Sequence, residues 1–216
     1  MAALQPVVVI GGGGHGREVL HVLRAVNAVH PTFDVLGVLD ADPTVATLLQ
    51  RLGVPLLGPP EALGDMRACY LVGIGDGALR HTMDVMATTM GCEPAVAVHP
   101  AATVGDDVDL GPGTVIAAGG RVTTHVRFGR HVHVNTNATV AHDCVLGGYV
   151  TVSPGANISG NVTLDEGVYI GTNAAVIQGL HVAAWSTVGA GALVHRDVAP
   201  GITVVGVPAV PLRRRR

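Results

Sequence analysis

Between residues 7 and 40 the chain carries residue types suited to holding a phosphate. Val7-Val8-Val9-Ile10 reads as a strand, Gly11-Gly12-Gly13-Gly14-His15-Gly16 as a glycine loop and Arg17 to Val29 as a helix with Val19, Leu20, Leu23 and Val26 on one face. Amides at a helix start cradle phosphate oxygens, and Asp40, at the end of the next strand, can accept from ribose or base donors. The Gly-x-Gly-x-x-Gly spacing admits a nucleotide-sugar site, a dinucleotide site or a tight turn without ligand. The first is favoured, because fewer than about 100 residues are free for this region, enough for one mononucleotide-binding half but hardly for two. A second concentration of chemistry lies among the 11 histidines, where His125, His131, His133 and His142 fall close together.

The elements that position these groups follow two periods. Residues 1–97 alternate strand and helix: after Asp40 come a helix over about 43–52, a strand over 70–74 and a helix over 78–90, which implies a small parallel sheet. Beyond that point the period is six. Stepping from Val98 gives Val104, Leu110, Ile116, Val122, Phe128, Val134, Val140, Leu146, Val152, Ile158, Leu164, Ile170, Val176, Val182, Val188 and Val194, an unbroken apolar series. A second column of small or aliphatic residues sits two positions earlier, as in Val126, Ala138, Cys144, Ala156 and Ala174. Three six-residue strands make one 18-residue triangular coil of a parallel β-helix. The aliphatic residue is expected to point inward, the small one to fit the corner, and Gly or a polar residue to take the bend; Gly follows the aliphatic position at Gly105, Gly111, Gly129, Gly147, Gly171 and Gly189.

Composition agrees with this division. Of the 216 residues 48% are hydrophobic and only 13% charged, too apolar for disorder, yet 3% are aromatic, so the core must close on aliphatic side chains. The net charge is −3 and every basic residue is arginine, so a nucleic-acid footprint is not expected. The Arg213–Arg216 run is a solvated tail or a contact for a phosphate-bearing ligand. Cys69, Cys92 and Cys144 have no metal-ligand spacing, and neither a charged leader nor an apolar span of about 20 residues is present. A cytoplasmic protein without membrane partners is expected.

The glycine loop ending Gly14-His15-Gly16, Asp40, Gly73-Ile74-Gly75-Asp76 followed by Arg80, the repeat carrying Ala141-His142-Asp143-Cys144, and the closing Val205-Gly206-Val207-Pro208-Ala209 form one ordered set. It resembles the hexapeptide-repeat sugar acyltransferases, the nucleotide-amino-sugar N-acetyltransferases and the related sialic acid O-acetyltransferases. The resemblance implies an α/β, Rossmann-like half domain over 1–97 followed by a left-handed parallel β-helix over 98–216. It implies acetyl-CoA as co-substrate, a small-molecule sugar as acceptor and a homotrimer with acetyl-CoA between adjacent subunits. Substrate contacts map to Gly13, Gly14, His15, Asp40, Ala41 and Gly58, with Ala41 replacing an acidic residue of relatives; acetyl-CoA contacts map to Thr151, Thr172 and Ala190.

The resemblance places the catalytic base at His142 with Asp143 raising its basicity. An acceptor amine or hydroxyl must lose a proton as it attacks a thioester, and a neutral imidazole backed by a carboxylate accepts it well. The 18-residue period then stacks Gly160 on His142, where its N–H would face a developing oxyanion, and puts Thr172 and Ala190 in one column. Zinc hydratases with three histidines at a subunit interface share the β-helix, and a non-catalytic scaffold is a further alternative. His125 and His142 share a face of the 18-residue wheel, but His131 and His133 fall on the next, so no triad forms within one chain.

Overall fold

The computed structural model describes residues 3–212, so the Arg213–Arg216 run lies outside the described residues. Two compact units divide after Pro100, not after Ala97. No helix among the described residues is long and apolar enough to cross a membrane.

The N-terminal unit holds strand β1 (Gln5–Ile10), helix α1 (Gly14–Val29), β2 (Phe33–Leu39), α2 (Ala46–Arg51), β3 (Leu56–Gly58), β4 (Cys69–Val72) and α3 (Gly77–Thr89). The strands form one parallel sheet in the order β3-β2-β1-β4. Val7, Val8, Val9 and Ile10 are fully buried at its centre, the continuous apolar run of a strand covered on both faces. Two details differ from expectation. Helix α1 starts at Gly14, so the second half of the glycine loop is already helical, and Val22 rather than Val26 completes its buried stripe. The segment over 43–52 is split into a 3-10 turn at Pro43–Val45, capped by the Asp42 side chain on the Thr44 amide, and the short α2.

The C-terminal unit is a parallel β-helix. Strands pair at a register of 18: Thr139 lies beside Asn157, Val145 beside Thr163 and Thr151 beside Tyr169. Both apolar columns point inward. Val140, Leu146, Val152, Leu164 and Ile170 are fully buried, and so are Ala138, Cys144, Val150, Ala156 and Val162 of the column expected at the corners. A prism this narrow is filled mainly by two aliphatic side chains per strand, with Phe128 the one ring in the inward series. Strand Thr203–Val205 pairs with Thr187–Val188, and the antiparallel Val210–Pro211 folds back on it to close the last coil.

The bends fall on a column of their own, mostly Gly or polar residues, with Tyr149 and Trp185 as exceptions. Every sixth residue from Asp107 to Gly191 has a φ between +51° and +80°, and nine of them are not glycine, among them His125, His131, Asn137, Asp143 and Tyr149. One left-handed residue per corner turns the chain, and Asn and Asp bear that conformation at least cost. The glycines after the aliphatic position have ordinary φ and are needed for another reason: a Cβ at Gly111 would stand 2.1 Å from the Gly129 carbonyl oxygen, and one at Gly129 would stand 2.5 Å from the Gly148 nitrogen. These positions touch the backbone of the next coil. Gly111→Ala is therefore expected to cost about 2–4 kcal/mol in urea unfolding, since the obstacle is backbone that cannot rotate away.

Candidate active site

The N-terminal cavity grows out of strand order. The order of strand addition reverses between β1 and β4, and at that switch point the carboxyl ends of β1, β2 and β4 open onto a cavity of about 450 Å³. Gly13, Gly14 and His15 line it from the start of α1, Asp40 and Ala41 from the end of β2, and Gly73, Ile74 and Gly75 from the end of β4. Of the expected substrate residues only Gly58 stays out of the wall. Its carbonyl instead accepts the Asp40 amide at 2.8 Å and so holds the strand end that presents Asp40. The Asp40 carboxylate is fixed further by accepting the Gly12 amide at 2.6 Å and the Asp42 amide at 2.8 Å.

The glycines of the loop divide into two kinds. A Cβ at Gly16 would stand 1.8 Å from the Gly11 carbonyl oxygen, and one at Gly73 would stand 2.4 Å from the Gly16 α-carbon, so these two let α1 pass close to the sheet. Gly13 and Gly14 face open space, with nothing within 4 Å of an added Cβ. Gly13 is the N-cap of α1 and no side chain caps that end, which leaves the helix start to an anionic ligand. His15, at the cavity edge, is held neutral chiefly by burial, which lowers its pKa against the opposing pull of Glu18, whose carboxylate lies 3.1 Å from Nδ1.

Arg80 was visible in sequence only as part of a motif. It is fully buried, and its Nη1 donates to the Ile74 carbonyl at 2.7 Å and to the Gly75 carbonyl at 3.3 Å. The wall of the cavity after β4 hangs on that guanidinium, while Asp76 caps α3 by accepting the Leu79 amide at 2.8 Å. Nearby, the Tyr70 hydroxyl donates to the Asp84 carboxylate in the buried interior.

In the β-helix unit, His142 and Asp143 sit together on one corner. His142 Nδ1 lies 2.7 Å from Asp143 Oδ2, which directs Nε2 away from the carboxylate. Asp143 lies below the usual carboxylate range, first because of that hydrogen bond, so it stands beside His142 as a carboxylate. The stacking of Gly160 on His142 is observed: a Cβ at Gly160 would stand 2.6 Å from Nε2 and 2.5 Å from Cε1, so the ring lies across the glycine. The Gly160 amide donates to no backbone carbonyl among the described residues. Cys144 is buried in the same turn, its thiol donating to the Ser159 carbonyl at 3.1 Å, and burial pushes its pKa up.

Thr172 and Ala190 share a column, as the Gly191 amide donating to the Thr172 carbonyl at 2.8 Å shows, but they occupy a different corner from His142. Thr151 is buried on the face leading to that corner. A single chain thus does not bring the expected acetyl-CoA residues and His142 together. His131 and His133 are buried on another part of the coil, and among the described residues no group of three His, Cys, Asp or Glu converges as a metal ion requires.

Comparison with known proteins decides the family. Residues 6–84 match the PglD N-terminal domain. The acetyltransferase domain of PglB from Neisseria gonorrhoeae is 34% identical with a TM-score of 0.86, over 96% of this chain and 100% of that one. PerB from Caulobacter crescentus, solved with CoA and GDP-perosamine, is 36% identical with a TM-score of 0.89, over 98% and 99%. The chain belongs to the hexapeptide-repeat sugar acetyltransferases. WeeI from Acinetobacter baumannii, 28% identical with a TM-score of 0.85 over 96% of this chain and 100% of its own, has the same fold. No curated protein matches the chain significantly. The β-helix is accordingly the left-handed one of these enzymes, and the protein is an acetyl-CoA-dependent acyltransferase acting on a sugar. Acyl transfer is the function of this family member.

Because Arg80 carries the cavity wall, Arg80→Ala is expected to raise the acceptor KM by about tenfold or more and to lower the melting temperature, leaving the KM for acetyl-CoA unchanged. Steady-state kinetics with each substrate varied separately checks this.

Proposed function

We propose that the enzyme acetylates an amino group on a nucleotide-linked sugar, with His142 as the general base. The observation that carries this reading is the His142–Asp143 pair lying across Gly160 on one corner of the β-helix. The cavity at the carboxyl ends of β1, β2 and β4 receives the nucleotide: Gly13 and Gly14 stand at an uncapped helix start suited to a diphosphate, with His15 beside them, and Asp40 and Ala41 shape the opposite wall, Gly58 holding Asp40 from behind. A relative named perosamine N-acetyltransferase, solved with GDP-perosamine and with one histidine substituted, supports both the amine acceptor and a histidine at the centre of the reaction.

In the transfer the acceptor amine attacks the thioester carbonyl while His142 Nε2 takes its proton. Asp143, holding Nδ1–H, stabilises the imidazolium that forms. The Gly160 N–H donates to the oxyanion of the tetrahedral intermediate. The carbon–sulfur bond then breaks, the imidazolium returns its proton to the departing CoA sulfur, and no covalent bond to the enzyme forms at any stage. The hydrogen bond from His142 holds the Asp143 carboxyl below the usual carboxylate range, so it acts as an anion in the transfer.

Acetyl-CoA runs along the column of Thr172 and Ala190, with Thr151 beside it, and meets His142 of an adjacent subunit in a homotrimer. The separation of the two corners in one chain supports that arrangement, since neither corner alone completes the site. The cytoplasm, where acetyl-CoA and nucleotide sugars are made, is the place proposed for the reaction.

Turnover of acetyl-CoA with GDP-perosamine and with other nucleotide amino sugars tests the reading. His142→Ala is expected to lose about 10²-fold or more in kcat with little change in KM, and Asp143→Asn about tenfold. Near-normal turnover by His142→Ala sinks the mechanism. Gly160→Ala, which would drive a methyl into the imidazole, is expected to lose kcat as heavily as Asp143→Asn does. Sedimentation equilibrium is expected to give the mass of three chains.

A further inference from the structure

The corner that carries His142 is built differently from the other two. Side chains at the left-handed positions lean back over the coil below. On one corner Asn137 and Asn173 each cover a glycine, their Oδ1 atoms standing 2.1 Å and 2.2 Å from where a Cβ of Gly119 or Gly155 would be. On another, His131 covers Gly113 and Trp185 covers Gly167. The third runs Asp107, His125, Asp143 and Asn161 and has no glycine until Gly179, so ionisable side chains stack directly on one another.

His125 stands in the middle of this stack. Its Nδ1 is 3.4 Å from Asp143 Oδ1 and its Nε2 is 3.3 Å from Asp107 Oδ2. Asp107 is anchored from its far side by Arg127, whose Nη2 lies 2.7 Å from Oδ1, and Arg127 Nε lies 3.0 Å from Asp109. The carboxylate beneath the catalytic base therefore offers one oxygen to each of two histidines: Oδ2 to His142 and Oδ1 to His125.

We propose that His125 is a positioning residue for acyl transfer: braced between Asp107 and Asp143, it fixes the Asp143 carboxylate and takes a share of its charge, and so sets how strongly that carboxylate supports His142. This rests on the reading of His142 as the base. A neutral imidazole has one donor and one acceptor nitrogen, and only the protonated ring donates on both sides. With a carboxylate at each nitrogen, the protonated ring satisfies both, and the neutral ring only one. Each state of His125 leaves Asp143 with a different effective charge toward His142. The charged groups around His125 are Asp107 and Asp143 directly, Arg127 through Asp107 and His142 through Asp143, while Asp106 contributes its carbonyl to the His125 amide at 3.4 Å. Both histidines lower the Asp143 pKa, His142 the more strongly, as expected of two rings sharing one carboxylate.

The test needs no acceptor. Histidine-labelled full-length protein is titrated by NMR, with the His142 resonance assigned by its loss in His142→Ala. His125 has a φ of +55°, a conformation that asparagine bears well, so His125→Asn keeps the turn. The His142 midpoint is expected to rise by about 0.5 pH unit in His125→Asn, because a competitor for Asp143 and a nearby cation are both removed. A midpoint that stays within about 0.1 unit, or falls, in a protein that melts as the wild type does overturns the proposal. The wild type alone gives a second readout: the His142 resonance is expected to show a second inflection at the His125 midpoint, and a single transition counts against the proposal. The outcome is separate from that of the turnover assay. Retained activity in His142→Ala defeats the base assignment, whereas an unmoved midpoint beside an inactive His142→Ala defeats only the role of His125.

Discussion

The register of 18 residues is the constraint on which the catalytic half depends. Once Val98 and its successors fill the prism at every sixth position, each corner must turn on a left-handed residue, and each side chain there must fit over the one a coil below. This is a one-dimensional packing problem repeated down three columns. Two columns solve it with glycine beneath the larger side chains. The third solves it with alternating carboxylate and imidazole, and that same column presents Asp143 beside His142. Structural stacking and catalytic electrostatics are thus the same set of contacts.

Glycine does different work at different places, and its abundance gains meaning only when these are separated. Gly16 and Gly73 allow helix and sheet backbones to meet, whereas Gly13 and Gly14 leave space at a helix start where a phosphate can approach. In the β-helix, Gly111 and Gly129 permit contact between successive coils, and Gly160 leaves room for the His142 ring across the chain. The first kind sets the scaffold and the second kind the ligand-facing surface. A single methyl therefore has very different consequences at two glycines only three residues apart.

Much of this was legible in the sequence. The six-residue period located the β-helix, and the glycine loop with Asp40 located the cavity, because both rest on local spacing. The stacking of Gly160 on His142 also followed from spacing alone. What spacing left open was the column that makes the bends: Gly or a polar residue was expected there, and the structure puts the turn on Asp107, Gly113, Gly119, His125 and every sixth residue after them to Gly191. Arg80 shows a second kind of omission. Its guanidinium serves carbonyls five and six residues back, and burial of that charge leaves no mark in composition.

The sequence by itself determined the architecture of both units, the register between coils and the pairing of His142 with Asp143, because each depends on periodic burial or on adjacent residues. Tertiary structure alone decided which groups share a hydrogen-bonding partner. His125 and Asp143 are 18 residues apart and carry no joint motif, yet they meet on one carboxylate oxygen. Likewise Gly58 supports Asp40 from behind, since the pairing of β2 with β3 points its carbonyl at the Asp40 amide. Such contacts depend on side-chain direction at a corner or a strand end, which a pattern of residue types does not encode.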